Sequence, residues 1–109
     1  MIRKFFGDGE RDFALPMTMI HELERKRDAA FGTLLSRVRT GQFHFDDLAE
    51  TIRLALIGGG TPAQEAAALV EAYVAAEGNA LIEAQILATD ILLDRYAGKE
   101  PAEQDSTDE

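Results

Sequence analysis

The chain has 109 residues, with 20 acidic and 11 basic side chains, a formal net charge of −9 and no cysteine. This length favours one domain, and the missing cysteine excludes disulfides and thiolate metal sites. Because nucleic-acid binding depends on neutralising phosphates, the acidic balance argues against DNA, RNA and anionic membrane surfaces as partners. The sequence contains no apolar run typical of a signal peptide or a membrane span, so we expect a cytoplasmic protein.

The first predicted element is a β-hairpin over about residues 2–15. Asp8 and Gly9 form a favoured two-residue turn, which would place Phe6 opposite Arg11. Strand alternation then predicts one apolar face, made of Ile2, Phe6, Phe13 and Leu15. Because an isolated hairpin is only marginally stable in water, we expect this face to pack against helices.

Three amphipathic helices are predicted to follow the hairpin. The spacing of their apolar residues places them at about residues 18–28, 33–40 and 46–57. Residues 31–33 are expected to break the chain between the first two. Gly41 is expected just beyond the second helix, in the left-handed conformation that glycine adopts without strain. Asp46 or Asp47 is the expected N-cap of the third helix, whose Leu54 lies off its main apolar stripe and predicts more than one neighbour.

Two further helices complete the predicted set. The glycine run at residues 58–60 ends the third helix, and Thr61-Pro62 is a typical helix start. The fourth helix is expected over residues 62–77 and the fifth over residues 79–97. The fifth helix is apolar around most of its circumference, and its acids share one narrow sector: Glu83, Asp90 and Asp94. Such a helix is either buried in its own domain or covered by a partner.

No arrangement of side chains in the sequence is typical of a catalytic, cofactor-binding or metal site. His21 and His44 are isolated, and neither has a second ligand at helical spacing on the same face. The glycine run lacks the lysine of a phosphate-binding loop, and the acids of the fifth helix are most simply its solvated sector. The fourth helix has no Arg or Lys, which argues against a DNA-recognition helix. We therefore predict that the protein is not an enzyme and has no cofactor or metal.

The predicted fold class is mainly α, with about five helices in a compact bundle preceded by an N-terminal β-hairpin. Residues 1–98 are expected to form a single helical domain that includes the hairpin. Residues 99–109 contain five acids, one base and no large apolar side chain, which predicts a disordered acidic tail. Without that tail, the remaining 15 acids and 10 bases still leave a net charge of −5.

Apolar helix residues that lie off the main stripes are the candidates for contact with a partner. They are surplus to the stripe that each helix turns towards the core. This criterion selects Leu54, Ile82, Ile86 and Leu93.

The segment ETIRLALIGGGTPAQEA, residues 50–66, resembles the small gene transfer agent family, which has close relatives among tail assembly chaperones of phage and prophage tail clusters. The family pattern is a helix that ends Ile-Arg-Leu-Gly-Leu-Ile-Gly-Gly-Gly, followed by a helix with Glu-Ala, Leu-Val and Tyr-Val pairs. Weaker similarity extends over about residues 9–95. Ala55 departs from the pattern, where glycine is expected, without changing the expected fold.

The resemblance implies a tail assembly chaperone, which binds the tape measure protein and keeps it soluble during assembly, with the tail tube protein as a second candidate partner. A structural tube or connector component that stays in the particle is the alternative. A generic self-associating helical domain, forming a homo-oligomer, is also left open. The expected setting is the cytoplasm of a bacterial host cell.

Overall fold

The strands and helices occur in the predicted order, and the fold is mainly α with an N-terminal hairpin, as expected. The computed structural model describes residues 1–98. Its elements are β1 (Ile2–Phe6), β2 (Gly9–Phe13), α1 (Met17–Arg27), α2 (Phe31–Thr40), α3 (Phe45–Gly58), α4 (Ala63–Val70) and α5 (Leu81–Ala97). A π-helical turn, Glu71–Ala75, continues α4. The predicted acidic tail, residues 99–109, lies outside the described residues.

The hydrophobic core is built around α3. This helix contacts α1, α4, α5 and β2, which confirms the prediction of more than one neighbour. Because neighbours surround it, α3 buries residues on and off its main stripe. At most 1% of the side-chain surface remains exposed at Leu48, Ile52, Leu54, Ala55 and Leu56.

The hairpin packs as predicted but with a different register. Ile2 pairs with Phe13 and Phe6 with Gly9, so the turn residues are Gly7 and Asp8, and the predicted turn at Asp8-Gly9 is wrong. Gly7 has a φ of +69°, which suits the first central position of a hairpin turn. A shift of two residues keeps each side chain on the same face, so the predicted apolar face survives, with Phe6 and Phe13 buried.

Two predicted helix starts are also corrected. α2 begins at Phe31, so the expected break at residues 31–33 does not occur, whereas Gly41 ends the helix with a φ of +82° as predicted. The N-cap of α3 is His44 rather than either aspartate. Asp47 instead reaches back, and its carboxylate accepts a hydrogen bond from the His44 backbone N–H at 2.8 Å, as in the second half of a capping box.

A buried carboxylate ties the first three helices together. Asp47 is fully buried, and its Oδ1 lies 2.8 Å from Arg27 Nε while its Oδ2 lies 3.7 Å from Arg37 Nη1. Burial opposes ionisation of this carboxyl, but the hydrogen bonds from Arg27 and the His44 backbone, with the charge of Arg37, outweigh it and lower its pKa. The cluster therefore holds α1, α2 and the start of α3 in register through a charged group.

The glycine run at the end of α3 is a contact point with the hairpin. A Cβ on Gly58 would fall on the carbonyl oxygen of Ala14, and a Cβ on Gly59 would fall on that of Asp12. The Ala14 N–H also donates a hydrogen bond to the Ala55 carbonyl at 3.0 Å. These two glycines thus allow the end of β2 to lie directly against the backbone of α3, a role beyond ending the helix.

Candidate functional site

α5 carries apolar residues on two opposite sides. The side that meets the core is narrow and built partly from small residues: Ala84, Ala88, Ile91 and Leu92. Ile82 and Ile86 lie on the opposite side, where they are 62% and 56% exposed. We call these two isoleucines the outer α5 face. Isolated exposed apolar residues are normal on any protein, whereas two isoleucines exposed on adjacent turns of one helix make this face a candidate contact surface.

The four residues selected from the sequence differ in how exposed they are in the structure. Ile82 and Ile86 are exposed, as a contact role requires. Leu93 is only partly buried and packs against the edge of the core. Leu54 is 1% exposed, so its selection as a surface residue is wrong, because α3 has neighbours on more sides than one apolar stripe indicates.

A groove of about 420 Å³ runs between the hairpin and α5, beside the outer α5 face. We call it the β1–α5 groove. Phe6 and Tyr73 both line it, and their rings meet edge to face with centroids 6.0 Å apart, a favourable geometry for aromatic pairs. The groove is lined by Lys4, Phe5, Phe6, Gly7, Tyr73, Val74, Asn79, Glu83, Ala84, Ile86, Leu87 and Asp90.

Two residues of this groove were not selected from the sequence. Phe5 is 68% exposed, and its place on the outward face of the hairpin was the available signal. Helical spacing from Leu69 and Val70 would turn Tyr73 towards the core, but Tyr73 is 39% exposed, whereas the next residue, Val74, is buried. The π-helical turn explains this difference, since its wider winding shifts the phase of the side chains away from the 3.6-residue period.

A second depression extends the surface beyond the first turn of α5. It measures about 350 Å³ and shares Val74 and Asn79 with the β1–α5 groove. Two exposed apolar residues line it, Phe45 at 38% and Leu81 at 50%. The two depressions therefore adjoin one another between the hairpin and the start of α3.

The charge around this surface is acidic. Residues 61–94 contain six acids and no Lys or Arg. Two of the three acids predicted to form a solvated sector are paired: Asp90 lies 3.5 Å from Lys4 Nζ, and Asp94 lies 2.9 Å from the N-terminal amine. Glu83 is exposed and, within residues 1–98, makes no ion pair. The groove thus offers one uncompensated carboxylate next to exposed apolar side chains.

Residues 1–98 contain no group of three or more His, Asp or Glu side chains arranged to hold a metal ion. In the same part of the chain, no helix combines the length and the apolar character that crossing a membrane requires. The features that stand out over these residues are therefore the groove and the outer α5 face.

Leu54 is buried and Ile86 is exposed, so replacing each of them by alanine should change the free energy of unfolding by different amounts. Leu54→Ala should lower the free energy of unfolding by about 3 kcal/mol, since it removes a fully buried side chain and leaves a cavity. Ile86→Ala should change it by less than about 0.5 kcal/mol, because the side chain is largely in water. Urea unfolding followed by circular dichroism measures both. Equal losses in the two variants would contradict the assignment of Ile86 to the surface.

These features define a small helical protein whose exposed apolar surface suits contact with other proteins. The chain belongs to the family described as phage tail tube protein, GTA-gp10, whose model matches residues 1–98. The predicted relation to gene transfer agents and phage tails is therefore confirmed at the level of the family. No curated protein and no solved structure matches the chain.

Proposed function

We propose that this protein is a structural component of a phage-like tail, retained in the finished particle as a tube or connector subunit. The observation that carries the proposal is the family match, whose description names a tail tube protein and which extends over residues 1–98. The alternative function inferred from the sequence is thus the better supported one.

The exposed apolar surface supports this proposal, because a subunit of an assembly needs apolar contacts beyond those of its own core. We assign the contact with a neighbouring tail protein to Ile82 and Ile86, with the exposed part of Leu93 at its edge. Leu54 has no place in this contact. The contact involves neither nucleic acid nor membrane, the protein acts without catalysis or cofactor, and the tail is assembled inside a bacterial host cell.

Quantitative mass spectrometry of purified particles tests the proposal. The wild-type chain should be present in a fixed ratio to the other tail proteins. The double variant Ile82→Glu/Ile86→Glu should be at least ~100-fold less abundant in particles, because burial of the two side chains contributes about 3 kcal/mol to the contact. Its melting temperature should stay close to that of the wild type, since both positions are exposed.

Ala67→Glu/Ala68→Glu is the matched control, because it adds two charges at other exposed helical positions, on α4, and should leave incorporation unchanged. Absence of the wild-type chain from intact particles would contradict a retained role. Normal incorporation of the double variant would contradict the assigned contact.

A tail assembly chaperone for the tape measure protein is the second candidate, favoured by one feature: isoleucines that are more than half exposed on a chain with a net charge of −9. An acidic binding protein can cover an apolar helical partner and keep it in solution. Co-expression should then raise the amount of soluble tape measure protein, the double variant should not, and finished particles should lack the chain. A retained subunit gives the opposite result in the particles.

A further inference from the structure

β1 has one edge whose backbone groups have no partner in the described chain. In a hairpin closed by a two-residue turn, the flanking pair is hydrogen-bonded and bonding alternates from there. With Phe6 paired to Gly9, the N–H and C=O groups of Arg3 and Phe5 therefore point away from β2. Within residues 1–98, β1 pairs with no strand other than β2, and its outward groups make no other backbone hydrogen bond.

The outward edges of β1 and β2 differ in whether their backbone groups are covered by another element. At the end of β2, the backbone lies against α3, where the Ala14 N–H donates to the Ala55 carbonyl at 3.0 Å and Gly59 approaches the Asp12 carbonyl closely. Within residues 1–98, no backbone hydrogen bond covers the edge of β1 in this way. An uncovered edge presents a row of donors and acceptors that another chain can pair with.

The open edge lies in the β1–α5 groove. Four consecutive residues line the groove, Lys4 to Gly7, and consecutive side chains of a strand point to opposite faces. A groove that contacts all four must therefore run along the edge of the strand. Ile86 and Leu87 of α5 line the same groove. A strand edge that faces a helix across an apolar groove is suited to an extended peptide, which adds to the sheet as a further strand.

We propose that the β1–α5 groove binds an extended segment of another protein chain, which adds to β1 as a third strand. The proposal rests on the proposed function and specifies how the neighbouring protein is held. The segment carries apolar residues at alternate positions, to meet Ile86 and Tyr73, and a Lys or Arg placed to reach the uncompensated carboxylate of Glu83. Backbone pairing supplies affinity, and these side-chain contacts supply specificity.

A second copy of this chain does not meet these requirements. Antiparallel pairing of two β1 strands through both outward residues, Arg3 and Phe5, places Lys4 directly opposite Lys4. Like charges in that position destabilise strand pairing. The charge of the strand therefore favours a different protein as the occupant.

Replacing Phe5 by proline tests the strand addition. Proline removes the N–H that points outward while leaving the hydrogen bonds to β2, a position at which an edge strand tolerates it. Phe5→Val is the matched control, because it removes the same aromatic ring but keeps the N–H and a side chain that suits a strand. In complexes made by co-expression with the other tail proteins of the same particle, Phe5→Pro should be incorporated at least ~10-fold less than Phe5→Val.

Amide hydrogen exchange on the wild-type chain gives a second measurement that does not depend on how the proline variant folds. The amides of Arg3 and Phe5 should exchange rapidly in the free protein and at least ~100-fold more slowly in the complex. Unchanged exchange of both amides, or equal incorporation of the two Phe5 variants, would overturn the proposal. Protection of both amides in the free protein, with light scattering that shows a dimer, would overturn the choice of a different protein as occupant.

The particle measurement separates this inference from the proposed function. If the wild-type chain is present in particles and the two Phe5 variants are incorporated equally, strand addition is wrong while the structural role stands. If the wild-type chain is absent from particles but both amides are protected in a complex with a tail protein, the structural role is wrong while strand addition stands.

Discussion

Replacing both Gly58 and Gly59 by alanine is expected to unfold the protein at room temperature. A Cβ at either position would overlap a backbone carbonyl oxygen, of Ala14 and Asp12 respectively, and a backbone atom held in a hairpin cannot move away as a flexible side chain could. Overpacking of this kind costs about 3 kcal/mol per site. A loss of about 6 kcal/mol is comparable with the whole stability of a small domain. Circular dichroism and urea unfolding measure the result.

The expected loss of stability comes from the steric clash of the added Cβ atoms, and not from an unfavourable backbone conformation of alanine at these two positions. Gly58 is the last residue of α3, and Gly59 has a φ of −86°, a conformation that alanine adopts freely. In α2, a Cβ on Gly32 meets nothing within 4 Å. Gly32→Ala is therefore the matched control, and it should stabilise the protein by about 0.5–1 kcal/mol through helix propensity. If the double variant behaved like Gly32→Ala, the close approach of β2 to α3 would be disproved.

Asp47→Asn is expected to lower the free energy of unfolding by about 4 kcal/mol at pH 7, since removing one partner of a buried ion pair leaves the other uncompensated. Arg27 and Arg37 would keep their charges with only about a fifth of each side chain exposed. The carboxylate that accepts the His44 N–H would also be lost. Asp46→Asn is the control: its side chain is 67% exposed, and the loss there should stay below about 1 kcal/mol.

The same carboxylate predicts how stability depends on pH. Its pKa in the folded protein is lowered, because the hydrogen bonds from Arg27 and His44 outweigh burial. Below the unfolded pKa of about 3.9, the unfolded chain binds a proton that the folded chain does not, so stability falls as pH decreases. The contribution is fully present above that value and disappears as the pH falls through the folded pKa.

Urea unfolding of the wild type and Asp47→Asn between pH 7 and pH 2.5 measures this contribution. The difference between the two proteins should be constant above about pH 5 and should shrink below about pH 4. A difference that stayed constant over the whole range would contradict an ionised, buried Asp47.

Much of the local structure could be predicted from the sequence. The five helices, the apolar face of the hairpin and the left-handed Gly41 all depend on the spacing of residues within a few turns of one another. The positions of Ile82 and Ile86 off the main stripe of α5 belong here too, since they follow from helical periodicity alone. Family membership was recognisable for a similar reason, because the glycine run is a continuous segment of the chain.

Only the tertiary structure decided which of these surfaces stay open. Periodicity shows that Leu54 lies off its stripe, but its burial depends on neighbours supplied by distant parts of the chain. The register that pairs Phe6 with Gly9 places the hairpin turn at Gly7. Gly7 lies against the ring of Tyr73, which is 66 residues later in the sequence. The β1–α5 groove is formed by the first and the last elements of the described chain. Local spacing carries information about one element at a time, whereas burial, register and grooves are set where elements far apart in sequence meet.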